Sequence, residues 1–160
     1  MKRAIVIGCP ASGKSTFSKK LAAAAGLPLV HLDRVYFKPD GSAITREEFD
    51  ERLGAILRGE SWIIDGNYQR TLARRIAACD TVFLFDLPTE VCLEGARARV
   101  GTVRDDIPWT ETELAPEFEL AIREFHAKKL PEIYALLEKF GGEVVIFTGR
   151  EQADRYISDL

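Results

Sequence analysis

Eight residues near the start of the sequence combine glycine, lysine and serine at a fixed spacing: Gly8-Cys-Pro-Ala-Ser-Gly-Lys-Ser15. The two glycines allow the backbone to curl so that consecutive N–H groups point inward, where they bind phosphate oxygens. Lys14 supplies a cation for the outer phosphates, and the Ser15 hydroxyl is a ligand for Mg²⁺. The spacing therefore predicts a phosphate-binding loop. Its expected nucleotide contacts are Gly8, Pro10, Ala11, Ser12, Gly13, Lys14, Ser15 and Thr16.

Carboxylates follow two apolar runs further along the chain. Asp33 comes after Leu29–Leu32, and Asp65 comes after Trp62–Ile64. A carboxylate in such a position can accept a proton from a hydroxyl group or bind Mg²⁺, directly or through water. We therefore expect Asp33 to act in catalysis, in acceptor binding or as a metal ligand, and Asp65 to bind the acceptor or the metal. Capping of a turn or helix is the structural alternative for Asp33.

Arginines flank a polar segment in the second half of the chain. Arg97 and Arg99 precede residues 100–108, and Arg104 lies within them. Phosphoryl transfer builds negative charge that planar guanidinium groups neutralise. We expect a lid at about 98–110, with Arg97 and Arg104 as catalytic residues and Arg97 also contacting the nucleotide. A solvated helix surface is the alternative environment for these arginines.

Alternating strands and helices are predicted to position these residues. Short apolar runs predict five strands, at 4–7, 29–32, 62–64, 81–85 and 144–147. Helices are predicted at 15–25, 69–78, 89–99 and 113–129, from Thr45 to Gly59, between Pro131 and Gly141 and at the chain end; 34–44 and 100–108 are predicted loops. This alternation predicts an α/β fold of three α/β/α layers, with a parallel sheet between helices.

Length and composition limit the classes of protein that fit. The chain has 160 residues, a formal net charge of −3 and 46% hydrophobic residues, which suits one domain, residues 1–160. The acidic balance disfavours direct nucleic-acid binding. No apolar run is long enough for a membrane span or a signal peptide. Three widely spaced cysteines favour reduced thiols in a cytoplasmic protein.

Several segments resemble the nucleoside-monophosphate-kinase-like group of P-loop kinases, to which adenylate kinase and shikimate kinase belong. A more specific resemblance, to the family called DNA topology modulation protein, is carried by Leu29–Pro39, Trp62–Tyr68 and Asp80–Pro88. The resemblance covers about residues 1–105 well and the remainder loosely. It implies a five-stranded sheet of order 2-3-1-4-5, an acceptor-side insert at about 34–60, and a lid.

The resemblance also implies ATP as phosphoryl donor with Mg²⁺, and an acceptor pocket. Adenylate kinases have Asp-Gly-Phe-Pro-Arg after the third strand. Here the segment reads Asp65-Gly-Asn-Tyr-Gln-Arg70, so the arginine is displaced by one place. Arg150 is expected near the adenine. The expected acceptor-binding residues are Asp33, Tyr36, Asp65, Asn67, Tyr68 and Arg70.

Two functions therefore compete. The first is an ATP-dependent kinase for a small acceptor, which could be a nucleotide, a nucleoside or a hydroxyl metabolite. A nucleotide acceptor needs arginine clamps, whereas a hydroxyl benefits from a base such as Asp33. The second is a nucleotide-binding regulator that influences DNA topology, which the family name and the basic group Arg70, Arg74 and Arg75 keep open. The sequence indicates no oligomeric state.

Overall fold

A five-stranded parallel sheet forms the centre of the computed structural model, which describes the whole chain, Met1–Leu160. Its spatial order is β2-β3-β1-β4-β5, which confirms the predicted sheet. Ile5 on the central strand pairs with Ile64 on one side and Val82 on the other. The strands are β1 (Arg3–Gly8), β2 (Leu29–His31), β3 (Trp62–Asp65), β4 (Thr81–Phe85) and β5 (Glu143–Phe147).

Helices connect the strands and flank the sheet. They are α1 (Lys14–Ala25), α2 (Leu32–Tyr36), α3 (Arg46–Leu57), α4 (Leu72–Ala78), α5 (Thr89–Ala98), α6 (Pro116–Lys128), α7 (Leu130–Glu138) and α8 (Arg150–Ser158). Thr45 caps α3, because its hydroxyl accepts a hydrogen bond from the Glu48 amide at 3.1 Å. Gly26, with φ 65°, ends α1 in the left-handed conformation. No helix combines the length and the apolar character needed to cross a membrane.

Two predicted boundaries were wrong for local reasons. Residues 34–44 were predicted to be loop, but Leu32–Tyr36 forms a short helix, and Phe37 then makes an isolated antiparallel bridge with Ala43. The helix predicted from residue 113 begins only at Pro116, because proline suits the first helical turn and disfavours helical backbone in the residue before it.

The buried core holds helix α1, and with it the phosphate-binding loop, against the sheet. Phe17 of α1 packs on three phenylalanines of the sheet, with ring centroids 5.1 Å from Phe83, 5.4 Å from Phe85 and 5.2 Å from Phe147. Aromatic pairs of this kind contribute about 0.5–1.5 kcal/mol each beyond the area they bury. The first residue of α1, Lys14, is thereby fixed relative to the ends of the strands.

The segment between α5 and α6, residues 99–115, has no helix or strand and lies over the first turn of α1. The Gly101 amide donates a hydrogen bond to the Glu111 carbonyl at 2.6 Å, which closes the segment on itself. Lys19 of α1 forms an ion pair with Asp105 at 2.9 Å. This is the region in which the sequence predicts a lid.

Candidate functional site

The loop between β1 and α1 requires both of its glycines. Gly8 has φ 138° and Gly13 has φ 105°, both in the region that favours glycine. A Cβ atom on Gly8 would lie 2.3 Å from the Phe85 carbonyl oxygen, so no side chain fits there. The loop follows a strand and opens a helix, which is the structural context expected of a phosphate-binding loop.

Two neighbouring side chains hold this loop in place. Asn67 forms a reciprocal pair with Gly8: its Oδ1 accepts from the Gly8 amide at 3.0 Å, and its Nδ2 donates to the Gly8 carbonyl at 2.7 Å. Arg150 donates to the carbonyls of Ser12 at 3.2 Å and Ala11 at 3.0 Å. The loop is therefore tied to the segment after β3 on one side and to α8 on the other.

A cleft of about 570 Å³ opens in front of the loop. Its volume lies within the range of small-molecule sites. The start of α1 directs its positive end toward this cleft, which favours anions. The predicted nucleotide-binding residues that line it are Ala11, Gly13, Lys14, Ser15, Thr16 and Arg150, and the later segment adds Arg99, Arg104 and Asp106.

A second pocket of about 210 Å³ adjoins the cleft on the side of β2 and β3. Four of the predicted acceptor residues line it, namely Asp33, Asp65, Asn67 and Tyr68, together with His31, Gly66 and Phe118. The residues that line both the cleft and the pocket are Ala11, Lys14, Ser15, Arg99, Arg104 and Asp106. The two cavities therefore meet at Lys14 and Ser15, the residues that the sequence predicts to bind phosphate and Mg²⁺.

Three oxygen-bearing side chains converge at this junction. The Ser15 hydroxyl lies 2.7 Å from Asp65 Oδ2 and 3.0 Å from Asp106 Oδ2. His31 Nδ1 is 2.8 Å from the same oxygen of Asp65. No group of three or more His, Cys, Asp or Glu side chains forms a cage for a metal. The set nevertheless fits Mg²⁺, which prefers oxygen ligands and retains water and substrate phosphate oxygens.

Asp33 lies in the pocket but not at a strand end, because it belongs to the first turn of α2. Its Oδ1 accepts a hydrogen bond from the Tyr68 hydroxyl at 2.6 Å. Burial raises the pKa of Asp33, the bond from Tyr68 opposes that shift, and the nearby Asp65 adds to it. Burial and the adjacent Asp33 raise the pKa of Tyr68, so its hydroxyl stays protonated and donates to the carboxylate.

Lys14 lies between the two cavities with its Nζ donating to the Cys9 carbonyl at 2.8 Å. Burial lowers the pKa of Lys14, and the carboxylate of Asp65 opposes that shift. The Cys9 carbonyl carries only a partial negative charge. A phosphate group bound to the loop would give the Lys14 ammonium group a fully anionic partner.

The arginines around residues 97–104 are not equivalent. Arg104 forms ion pairs with Asp106 and Glu111. Burial alone would raise the pKa of Asp106, but Arg104 outweighs it and holds that pKa below its usual value. Arg99 lies over the Phe118 ring, 4.8 Å from its centroid, and its buried Nε forms an ion pair with Glu111 at 3.7 Å but has no hydrogen-bond partner. Arg97 is exposed, lies 3.8 Å from Glu119 and lines neither cavity.

The sequence prediction named Arg97, whereas Arg99 is the arginine of this pair that lines both cavities. Arg99 follows the fully buried Ala96 by three residues, so both lie on the same face of α5, and the burial of that face becomes apparent only in the structure. Arg97 points away from that face. Asp106 was also missed, because its role depends on how the connecting segment folds over Ser15.

Two further candidates lie outside the pocket. Arg70 is exposed and pairs with both carboxylate oxygens of Asp50, at 2.7 and 3.1 Å. Tyr36 packs in an aromatic cluster, with its ring centroid 5.5 Å from Phe49 and 5.4 Å from Tyr68. The structure therefore brings neither Arg70 nor Tyr36 into the lining of the acceptor pocket.

No family model matches the chain, and no curated protein matches it in sequence. Solved structures with a similar fold do exist. A shikimate kinase from Bacteroides thetaiotaomicron superposes with a TM-score of 0.64 at 14% identity, covering 99% of this chain and 95% of that one. A shikimate kinase from Acinetobacter baumannii, solved in complex with shikimate, gives 0.62 at 14% identity, covering 99% and 92%. The chain therefore has the same fold as these shikimate kinases.

Proposed function

We propose that the protein is an ATP-dependent phosphotransferase that phosphorylates a hydroxyl group of a small acceptor. The observation that carries this proposal is the junction of the two cavities at Lys14, Ser15, Arg99 and Arg104. A donor bound along the phosphate-binding loop would present its terminal phosphate at this junction, facing the pocket that contains Asp33. The similarity in fold to shikimate kinases supports the kinase class.

The loop amides and Lys14 would bind the donor phosphates, and Ser15, Asp65 and Asp106 would hold Mg²⁺, directly or through water. When bound, Mg²⁺ neutralises charge on the phosphate oxygens. Arg99 and Arg104 line both cavities, so we assign to them the stabilisation of the charge that develops on the transferred group. We assign no role in transfer to Arg97, which pairs with Glu119.

Asp33 is the base in this proposal. The acceptor oxygen forms a bond to the γ-phosphorus while the bond from that phosphorus to the β–γ bridging oxygen breaks. The hydroxyl proton passes to Asp33, and ADP departs with the bonding electron pair. The hydrogen bond from Tyr68 fixes the Asp33 side chain for this task.

The test is ADP release from Mg·ATP, measured with a panel of nucleosides, nucleoside monophosphates and hydroxyl metabolites including shikimate. We expect one acceptor class to stimulate release at least about tenfold. Lys14→Ala should lower the stimulated rate by about 10²-fold or more, the scale of removing one charge-stabilising donor. Lys128→Ala, an exposed lysine paired with Glu124, should leave the rate unchanged. ATP binding without stimulation by any acceptor, or a fully active Lys14→Ala protein, would refute the proposal.

The alternative of a DNA-directed regulator finds no support in the basic group on which it depended. Arg75 is fully buried, and Arg70 is neutralised by Asp50, so the three arginines do not form a basic surface patch. Nucleic-acid binding requires such a patch to contact phosphates. We therefore propose only the kinase function.

A further inference from the structure

A third cavity, of about 450 Å³, continues from the acceptor pocket away from the phosphate-binding loop. It shares four lining residues with that pocket, Asp33, Arg99, Arg104 and Phe118, so the two spaces are contiguous. A molecule whose hydroxyl group reaches Asp33 from this side would therefore place its remaining atoms in the third cavity.

Aromatic side chains from two different segments enclose this cavity. Phe37 follows α2, and Trp109 belongs to the segment between α5 and α6. Their ring centroids are 5.0 Å apart at an interplanar angle of 85°. Ile107 and Phe118 add apolar surface. Such walls favour a flat ring, which stacks on one aromatic face while it contacts the edge of another.

The charges around the cavity disfavour a second anionic group on the acceptor. Three carboxylates line it, Asp33, Glu111 and Glu113, against the two guanidinium groups of Arg99 and Arg104. Arg104 is already paired with Glu111 and Asp106, and both arginines also line the phosphate cleft. A phosphate or carboxylate on the acceptor would thus face carboxylates without a cation of its own.

Nearby basic side chains do not fill this gap, because each is engaged elsewhere. Arg34 donates to the main-chain carbonyls of Asp105 and Ile107, the latter at 3.3 Å. Arg70 is held by Asp50 on the outer surface. With Arg99 and Arg104 assigned to the transferred phosphate, the acceptor side therefore lacks a separate arginine clamp of the kind that a nucleoside monophosphate or another anionic acceptor requires.

Resting on the proposed kinase function, we propose that the acceptor is an uncharged compound that carries both a hydroxyl group and a flat ring, as a nucleoside does. The hydroxyl group lies at Asp33, and the ring lies against the aromatic surface that Phe37, Trp109 and Phe118 form along the third cavity. The connecting segment over the cleft supplies Trp109, so it contacts the acceptor as well as the donor.

Three sets of acceptors distinguish the effect of the ring from the effect of charge. They are ribose, which has no base, the common nucleosides, and their anionic 5′-monophosphates. ADP release from Mg·ATP is measured with each set. We expect kcat/KM for at least one nucleoside to exceed that for ribose and for its own monophosphate by about tenfold or more. A monophosphate that is preferred, or ribose that reacts equally well, overturns the inference while leaving the kinase function intact.

The Trp109→Ala variant tests where the flat ring of the acceptor lies. Trp109 is 36% exposed, so Trp109→Ala should fold normally. We expect it to raise the KM for the nucleoside about tenfold, the scale of one base–aromatic stacking contact, without changing the KM for ATP. Leu120→Ala removes an exposed side chain of α6 that lines none of the three cavities, and should change neither constant. An unchanged KM for the nucleoside in Trp109→Ala contradicts the placement.

A binding measurement keeps the inference testable if no acceptor of any charge is phosphorylated. The chain has two tryptophans, and Trp62 is buried in β3, so a Trp62→Phe protein reports on Trp109 alone. Nucleosides should change its fluorescence on titration, whereas ribose and the monophosphates should not. That result would support the pocket chemistry although the kinase proposal had failed, and no response to nucleosides would overturn the inference.

Discussion

Arg75→Met tests whether a buried cation organises the acceptor side. Arg75 is fully buried, and it donates to Thr71 Oγ1 at 3.1 Å and to the carbonyls of Gly66 at 2.9 Å, Asn67 and Tyr68 at 3.2 Å. Methionine has a similar length but no donor. The substitution therefore leaves the carbonyls of Gly66 and Asn67, just after β3, without this donor, whereas the Tyr68 carbonyl keeps the Thr71 amide at 2.9 Å and the Thr71 hydroxyl at 3.0 Å.

The expected loss of stability follows from two opposing effects. Hydrogen bonds from a charged donor contribute about 1.5–3 kcal/mol each, so the four bonds of Arg75 contribute about 6 kcal/mol at the low end. They share one cation, and its burial lowers the pKa of Arg75 from 12.5 to about 10. At about 1.4 kcal/mol per pKa unit, relief of that burial penalty returns about 3–4 kcal/mol. The net destabilisation is then about 2–3 kcal/mol, which leaves an ordinary domain folded.

Urea denaturation with linear extrapolation measures the free energy of unfolding of both proteins. Arg74→Met is the matched control, because Arg74 is the exposed neighbour with one main-chain contact, to the Asp50 carbonyl at 3.2 Å. It should change stability by no more than about 0.5 kcal/mol. If Arg75→Met lies within about 1 kcal/mol of the unchanged protein, the reasoning about its carbonyl partners is refuted.

Three further predictions concern the base, the loop and the sheet. Asp33→Asn should lower kcat by about 10²–10⁴-fold with little change in ATP affinity, since it removes the proposed base; an equal loss of Mg·ATP affinity would indicate a metal ligand. Gly95→Ala should weaken ATP binding in calorimetric titration, because its Cβ atom would lie 2.5 Å from the Ala11 carbonyl of the loop. Asp80→Asn should lower the Tm at neutral pH but not in acid, since hydrogen bonds from Thr81 and from the amides of Arg3 and Lys2 outweigh burial and lower the pKa of Asp80. A carboxylate with a lowered pKa stabilises the fold above about pH 4, and this contribution disappears as pH falls through its folded pKa.

The first two of these predictions each have a matched control variant. Asp40→Asn changes an exposed carboxylate of the acceptor-side insert, so kcat should not respond. Gly54→Ala places its Cβ atom against only the flexible ends of Arg74 and Arg58, so ATP binding should be unchanged and α3 slightly more stable. Equal behaviour of either control and its test variant would contradict the corresponding argument. For Asp80→Asn, a Tm difference that persists in acid would contradict the argument from the lowered pKa of Asp80.

The fold was predictable because several local signals agree. The motif from Gly8 to Ser15 lies between an apolar run and an amphipathic segment, and the Thr45 and Glu48 pair marks the start of α3. The continuous apolar run at β4 indicated a strand covered on both faces. These signals depend on residues that are close in sequence, so they can be recognised without knowledge of tertiary contacts.

The site was predictable only where its residues belong to those elements. Lys14, Ser15 and Asp65 come together as expected, because parallel strands end at one edge of the sheet. Arg75 has the same residue type as its exposed neighbour, and only the path of the chain after β3 makes it a buried donor. Asp106 and Trp109 belong to a segment without regular structure, so periodicity gave no indication of where they lie.

The reciprocal hydrogen bonds between Asn67 and Gly8 have a thermodynamic consequence. Asn67 lines the acceptor pocket, and Gly8 begins the loop that would hold the donor, so the two binding sites share one rigid connection. An acceptor that shifts Asn67 must also shift the first amide of the loop. In the proposed kinase, the affinities for ATP and for the acceptor are then coupled, and the factor by which ATP changes the affinity for the acceptor equals the factor by which the acceptor changes the affinity for ATP.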